Sequence, residues 1–114
     1  MTDPVLAARA RVLHDLAAQS LTTPAVVSLV EDAAAGRRWW VQQWPAGAAY
    51  VAGQIAQDVQ DQLLDTLGRW PRCPHHVGDG SHALQIAPEL GEDPHWVCEV
   101  DGVTVAPLGE LAGG

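Results

Sequence analysis

Residues 70–98 concentrate the chemistry of this chain, holding both cysteines, four of the five histidines and two of the five tryptophans. The stretch begins Trp70-Pro71-Arg72-Cys73-Pro74-His75-His76, continues through Ser81-His82-Ala83-Leu84 and closes on Pro94-His95-Trp96-Val97-Cys98. Thiolate and imidazole are the donors Zn²⁺ prefers, usually four of them in a tetrahedron. Six such side chains this close together, punctuated by Pro and Gly turns, point to a zinc site.

Two sets of four make chemical sense. One joins mirrored pairs, Cys73-x-x-His76 and His95-x-x-Cys98; the other takes Cys73, His76, His82 and Cys98. A pair three residues apart chelates one ion only where the backbone turns between its members, as Pro74 encourages after Cys73. His95 and Cys98 fall in a segment that reads as a strand, where residues three apart point to opposite faces. His82 follows the turn Gly78-Asp79-Gly80-Ser81 and can swing back onto the site, so the second set is favoured. His95 stays as an alternate, as does His75, which adjoins His76.

A structural zinc is closed by four protein ligands, whereas a hydrolytic one keeps a position for water and needs a base nearby. Glu99 and a spare His75 or His95 are the candidates for that base. The spacings argue against it, with no His-Glu-x-x-His helix and no His-x-Glu followed by Pro-Cys-x-x-Cys. Gly78–Ser81 lacks the Lys of a phosphate loop, and Ser20, Ser28 and Ser81 sit in no nucleophile elbow. A nucleophilic Cys73 activated by His75 or His76 would compete with the metal for the same atoms. No catalytic residue is therefore assigned. The expectation is a structural zinc, with a small zinc-dependent hydrolase as the alternative.

The pattern Trp70-Pro71-x-Cys73-Pro74-x-His76, His82-x-Leu84, Trp96-x-Cys98 resembles one found in short uncharacterised proteins of high-GC Gram-positive bacteria. The resemblance covers about the last 45 residues. It implies Cys73, His76, His82 and Cys98 as ligands in a zinc-ribbon-like hairpin. The chain departs from that pattern at Ala83, where Pro would follow the His, and at Glu99, where Pro often follows the last Cys; neither position is a ligand.

The elements that must position these residues sit in an acidic, Ala-rich chain of 114 residues, one domain by length. The formal charge is −8, and the six basic residues are all Arg. Binding to nucleic acid needs clustered cations to neutralise phosphates, and only Arg37-Arg38 and Arg69/Arg72 approach a cluster. A basic amphipathic helix, an apolar leader and a membrane-length run are all missing from the sequence, so it predicts no nucleic-acid or membrane partner and a cytoplasmic location. In that compartment two cysteines act as metal thiolates more readily than as a disulfide. With no Phe, one Tyr and five Trp, the tryptophans are expected to dominate the core.

Residues 3–20 read as a helix with Asp3 as N-cap and Pro4 at its first position. Its apolar face runs from Val5 to Ala17, opposite Arg9, Arg11 and Asp15, and His14 is a helix-surface or core histidine. The β-branched run Ala25–Glu31 and the Trp/Val run Arg38–Trp44, joined across Asp32–Gly36, predict a hairpin. A second helix is expected from Pro45–Gly47 to Leu67, with Val51, Ile55, Val59, Leu63 and Leu67 in a stripe and Gly68 just past its end. Asp58, Asp61 and Asp65 form a solvated acidic face. Strands follow at 83–87, 96–100 and 103–106, the last two joined through Asp101-Gly102.

The order α-β-β-α-β-β-β is an α+β class, with two helices packed on a small antiparallel sheet and a zinc-stapled loop or hairpin in the C-terminal half. Within the single domain 1–114, residues 3–67 form a helix-hairpin-helix part and 70–106 the zinc-binding hairpin part. Tryptophans on both faces of the Trp39–Trp44 strand suggest a homodimer through it. The function these readings favour is a protein–protein interaction or accessory subunit, and a further alternative is an acidic inhibitor mimicking nucleic acid.

Overall fold

The computed structural model describes residues 3–76 and 78–112, apart from the side chain of Asp79. The class is α+β: three helices, α1 (Pro4–Ala17), α2 (Pro24–Gln43) and α3 (Val51–Thr66), precede a three-stranded antiparallel sheet. The strands β1 (Gln85–Ala87), β2 (His95–Cys98) and β3 (Val103–Pro107) lie in sequence order.

Asp3 caps α1 as its sequence indicates, its carboxylate accepting from the Val5 and Leu6 amides at 2.9 and 3.3 Å. Arg38, reaching across from α2, binds the same carboxylate and is the main reason its pKa lies below the ordinary value. On α3, Val51, Ile55, Val59 and Leu63 are buried as the stripe predicts, while Leu67 is exposed. Gly68, at φ +114°, ends the helix in the left-handed region, its amide donating to the Leu63 carbonyl at 2.7 Å. Asp58 is not simply solvated: it receives two hydrogen bonds from Arg37 at 2.7 and 2.9 Å, and this contact raises the Arg37 pKa.

The hairpin expected across 25–44 is instead the single helix α2. Val26, Val30 and Ala34 are buried at a spacing of four, the period of a helix face and not of a strand. Thr23-Pro24, which ends α1's segment, also starts the next helix, the Thr23 hydroxyl accepting from the Val26 amide. The β-branched run misleads because propensity differences are fractions of a kcal/mol, roughly 0.5 per residue, and packing of α2 on α1 and α3 overrides them. Gly36 does not break the helix.

With the Trp39–Trp44 strand gone, the tryptophans divide by helix geometry. Trp39 is 63% exposed, Trp40 is half-buried and Trp44 exposed. Trp40 and Trp44, one turn apart, meet edge to face and lie over Gly47 in the short 3₁₀ segment Pro45–Tyr50, where a Cβ would come within 2.8 Å of an indole carbon. The core tryptophans are Trp70 and Trp96, both fully buried, their rings edge to face with centroids 5.3 Å apart.

The sheet meets the helices where α3 crosses β1. At Gly53 a Cβ would lie 3.3 Å from Ile86 Cγ2, so glycine permits this close approach. β2 alternates between partly exposed (His95, Val97) and buried (Trp96, Cys98) residues. β2 and β3 are joined by four residues, not two, since Cys98 pairs with Val103. Gly102, at φ +67°, closes this loop by donating to the Cys98 carbonyl at 2.8 Å.

Asp15 departs furthest from its sequence reading. Placed on the polar face of α1 by periodicity, it is fully buried. Its carboxylate accepts from Trp96 Nε1 at 2.7 Å, from the amides of Gly109 (2.7 Å) and Leu111 (3.1 Å), and from His14 Nδ1 at 2.9 Å. Its backbone carbonyl takes the Trp70 indole N–H at 3.3 Å. One acid thus ties the first helix to the second strand and to the segment after β3.

Candidate metal centre

Three backbone pieces converge on one point. The first is the segment after Trp70, which runs antiparallel to residues 82–84: Arg72 pairs with Ala83, the Cys73 amide donates to the His82 carbonyl at 3.0 Å, and the Leu84 amide donates to the Pro71 carbonyl at 2.8 Å. This short ladder sets Cys73 beside His82 although nine positions separate them in the chain. Gln60 of α3 fixes both sides by donating to the carbonyls of Trp70 and Leu84. The second piece is the turn begun by Pro74, which brings His76 back over Cys73, its amide 3.4 Å from the Cys73 carbonyl. The third is β2, whose buried face carries Cys98 inward at the strand's end.

The donor atoms of Cys73, His76, His82 and Cys98 all lie within 4.8 Å of one another. His76 Nδ1 is 3.4 Å from Cys73 Sγ, 3.6 Å from Cys98 Sγ and 3.2 Å from His82 Nε2. His82 Nε2 is 3.5 Å from Cys98 Sγ. Both thiols are buried and unbridged.

Partners on the far ring nitrogens orient both imidazoles toward this point. His82 Nδ1 faces the Ala83 carbonyl at 2.9 Å, an acceptor, so this nitrogen carries the ring proton and Nε2 presents a lone pair. His76 Nε2 lies 3.5 Å from the Asp101 carboxylate, an acceptor that favours a proton on this nitrogen and a lone pair on the inward Nδ1. The two inward lone pairs lie 3.2 Å apart and each faces a Cys Sγ, which as a thiol would donate to it and as a thiolate would join it as a metal ligand. A cation between them, held also by two thiolates, satisfies all four atoms. Orientation of metal-binding histidines by a carbonyl or carboxylate on the far nitrogen is the usual outer-sphere arrangement. The cluster can therefore hold a metal ion.

The other sequence candidates lie outside this group of four. His75 is exposed at the turn. His95 sits on the opposite face of β2 from Cys98, its Nδ1 2.8 Å from the Asp93 carbonyl. Glu99 is exposed. Asp101 was legible in the sequence only as a turn residue; its place beside His76 depends on how the β2–β3 loop folds over the site, and no local pattern announces it.

Over residues 1–108 the chain matches the family described as a domain of unknown function (DUF8819), and it belongs to that family. No curated protein and no solved structure matches it. None of the described helices is long and apolar enough to cross a membrane.

Proposed function

We propose that Cys73, His76, His82 and Cys98 bind one Zn²⁺ as a structural staple, and that the chain is a non-catalytic interaction or accessory module built as one domain. The observation that carries this reading is the shape of the donor cluster. A tetrahedral zinc with Zn–S near ~2.3 Å and Zn–N near ~2.05 Å requires N–N edges of about 3.3 Å and S–N edges of about 3.6 Å. In the structure the N–N edge is 3.2 Å and three S–N edges are 3.4, 3.5 and 3.6 Å. A bound zinc would join the segment 70–84 to the end of β2. Four protein donors, two of them thiolates, leave no position for a reacting water, which favours a staple over a hydrolytic centre. Zinc thiolates suit a reducing compartment such as the cytoplasm.

The interaction role is supported by the C-terminal end of α2, where Trp39 and Trp44 present indole surface to solvent. Tryptophan is the residue type most enriched at the energetic centres of protein interfaces. A second copy of the chain is the first partner to test, with sedimentation of wild type against Trp39→Ser. A wild-type chain that stays monomeric at high concentration overturns the homodimer.

The metal reading is tested by elemental mass spectrometry of the purified protein, wild type, Cys73→Ser and His82→Ala. One zinc per wild-type chain, lost in both variants, is expected. Wild-type protein without metal and with two titratable thiols overturns the reading; zinc retained in His82→Ala overturns the ligand set.

A further inference from the structure

We infer that the groove of about 620 Å³ between the ends of α1 and α3, the Cys73-Pro74 turn and the segment after β3 binds a small amphipathic carboxylate, with its acid on Arg69 and Arg72 and its apolar body along Leu21, Leu67 and Val105. This volume lies in the range of small-molecule sites, roughly 300–1,000 Å³.

In a chain of net charge −8, a guanidinium has carboxylates on every side to choose from. Arg9, Arg37 and Arg38 each take one, and Arg11 donates to the Leu108 carbonyl. Arg69 and Arg72 differ. Among the described residues neither forms an ion pair with a carboxylate, although Glu110 lines the same groove. Among the described residues, Arg69 gives one long hydrogen bond, 3.3 Å, to the Ser81 carbonyl, and the Arg72 guanidinium makes none. Both are exposed at the same groove. Among the described residues these two guanidinia thus have no carboxylate partner, and planar guanidinium forks match a carboxylate.

Two further features make the site more than a charged rim. The backbone of Arg72 is clamped in both directions by the side chain of Gln19, which accepts from its amide at 2.9 Å and donates to its carbonyl at 3.1 Å. These bonds fix the backbone from which the Arg72 side chain extends at the groove. Leu67 is 60% exposed at the groove although it continues the buried stripe of α3, so an apolar surface is left bare beside the two cations. Cationic rim and apolar wall together select a ligand carrying both a carboxylate and a hydrocarbon or aromatic body.

Isothermal titration of the purified protein with sodium decanoate, below its micelle concentration, tests the assignment. Decan-1-ol supplies the tail without the charge and inorganic phosphate the charge without the tail. Saturable binding of one decanoate per chain is expected, with both controls and the Arg69→Gln/Arg72→Gln variant weaker by about tenfold or more. Both side chains are exposed, so an unchanged melting temperature and far-UV circular dichroism spectrum will show that this variant is folded. Leu67→Gln, also at an exposed position, tests the apolar wall independently, including the case in which the double variant does not fold. No saturable heat, decanol binding as tightly as decanoate, or affinity unmoved by the variants overturns the proposal. None of these outcomes depends on whether the metal centre holds zinc.

Discussion

Replacing Asp15 by Ala should be the most damaging single change outside the Cys/His cluster. The substitution removes the acceptor of three donors in the interior, Trp96 Nε1–H and the amides of Gly109 and Leu111, while exposed His14 simply returns to water. An unsatisfied buried donor costs about 1–3 kcal/mol, and partial entry of water into the vacated space keeps the three from adding fully, so about 3–5 kcal/mol is expected. That is a large share of the ~5–15 kcal/mol by which domains are stable. With a urea m value of about 2 kcal/mol per molar, the midpoint should fall by about 1.5–2.5 M.

Asp15→Asn separates geometry from mere volume. An Asn oxygen in the place of Oδ2 still accepts from Trp96 and Gly109, but its NH₂ then faces the Leu111 amide donor. His14 can change tautomer and accept. One mismatched donor remains, so Asn should cost about 1–3 kcal/mol, clearly less than Ala. Urea titrations followed by tryptophan fluorescence and by far-UV circular dichroism measure both. An Ala variant that loses under about 1 kcal/mol, or an Asn variant as damaged as Ala, would refute the clasp as a source of stability.

Three further outcomes follow from the same structure. Gly36→Ala should raise stability by about 0.5–1 kcal/mol, read as a higher melting temperature, because a Cβ at this helical position meets nothing within 4 Å. Asp3→Asn keeps a good helix cap but removes the charge that Arg38 binds. Since the folded pKa of Asp3 is depressed, its contribution is complete above the ordinary value of 3.8 and is lost as pH falls through the lowered one. The variant should be less stable than wild type at pH 7 and the two should converge in acid, as denaturant titrations across pH will show. If the proposed zinc is bound, treatment with a strong chelator should lower the melting temperature and speed amide exchange around Cys73, His82 and Cys98 before it affects α1–α3; uniform exchange throughout the chain would contradict a local staple.

The sequence alone determined most of the local features. The Asp3-Pro4 helix start, the apolar stripe of α3, its glycine stop and the strands around Trp96 and Val103 were legible because caps, turns and face alternation are encoded within a few residues. Local signals of the same kind favoured the set Cys73, His76, His82 and Cys98 but left His75 and His95 as alternates, because the ladder that sets His82 beside Cys73 is a tertiary pairing.

Tertiary structure decided what local signals leave balanced. Residues 25–44 carry β-branched and aromatic side chains at positions that also fit a helix, and only burial of Val26, Val30 and Ala34 against α1 and α3 selects the helix. Asp15 sits among charged neighbours on α1, and its burial depends on Trp96 and the amides of Gly109 and Leu111, more than 80 residues away in the chain. Asp101 faces His76 because the β2–β3 loop folds over the site. In each case the deciding energy comes from partners distant in sequence, and a polar group's fate is set by whether those partners offer it hydrogen bonds that water would otherwise supply.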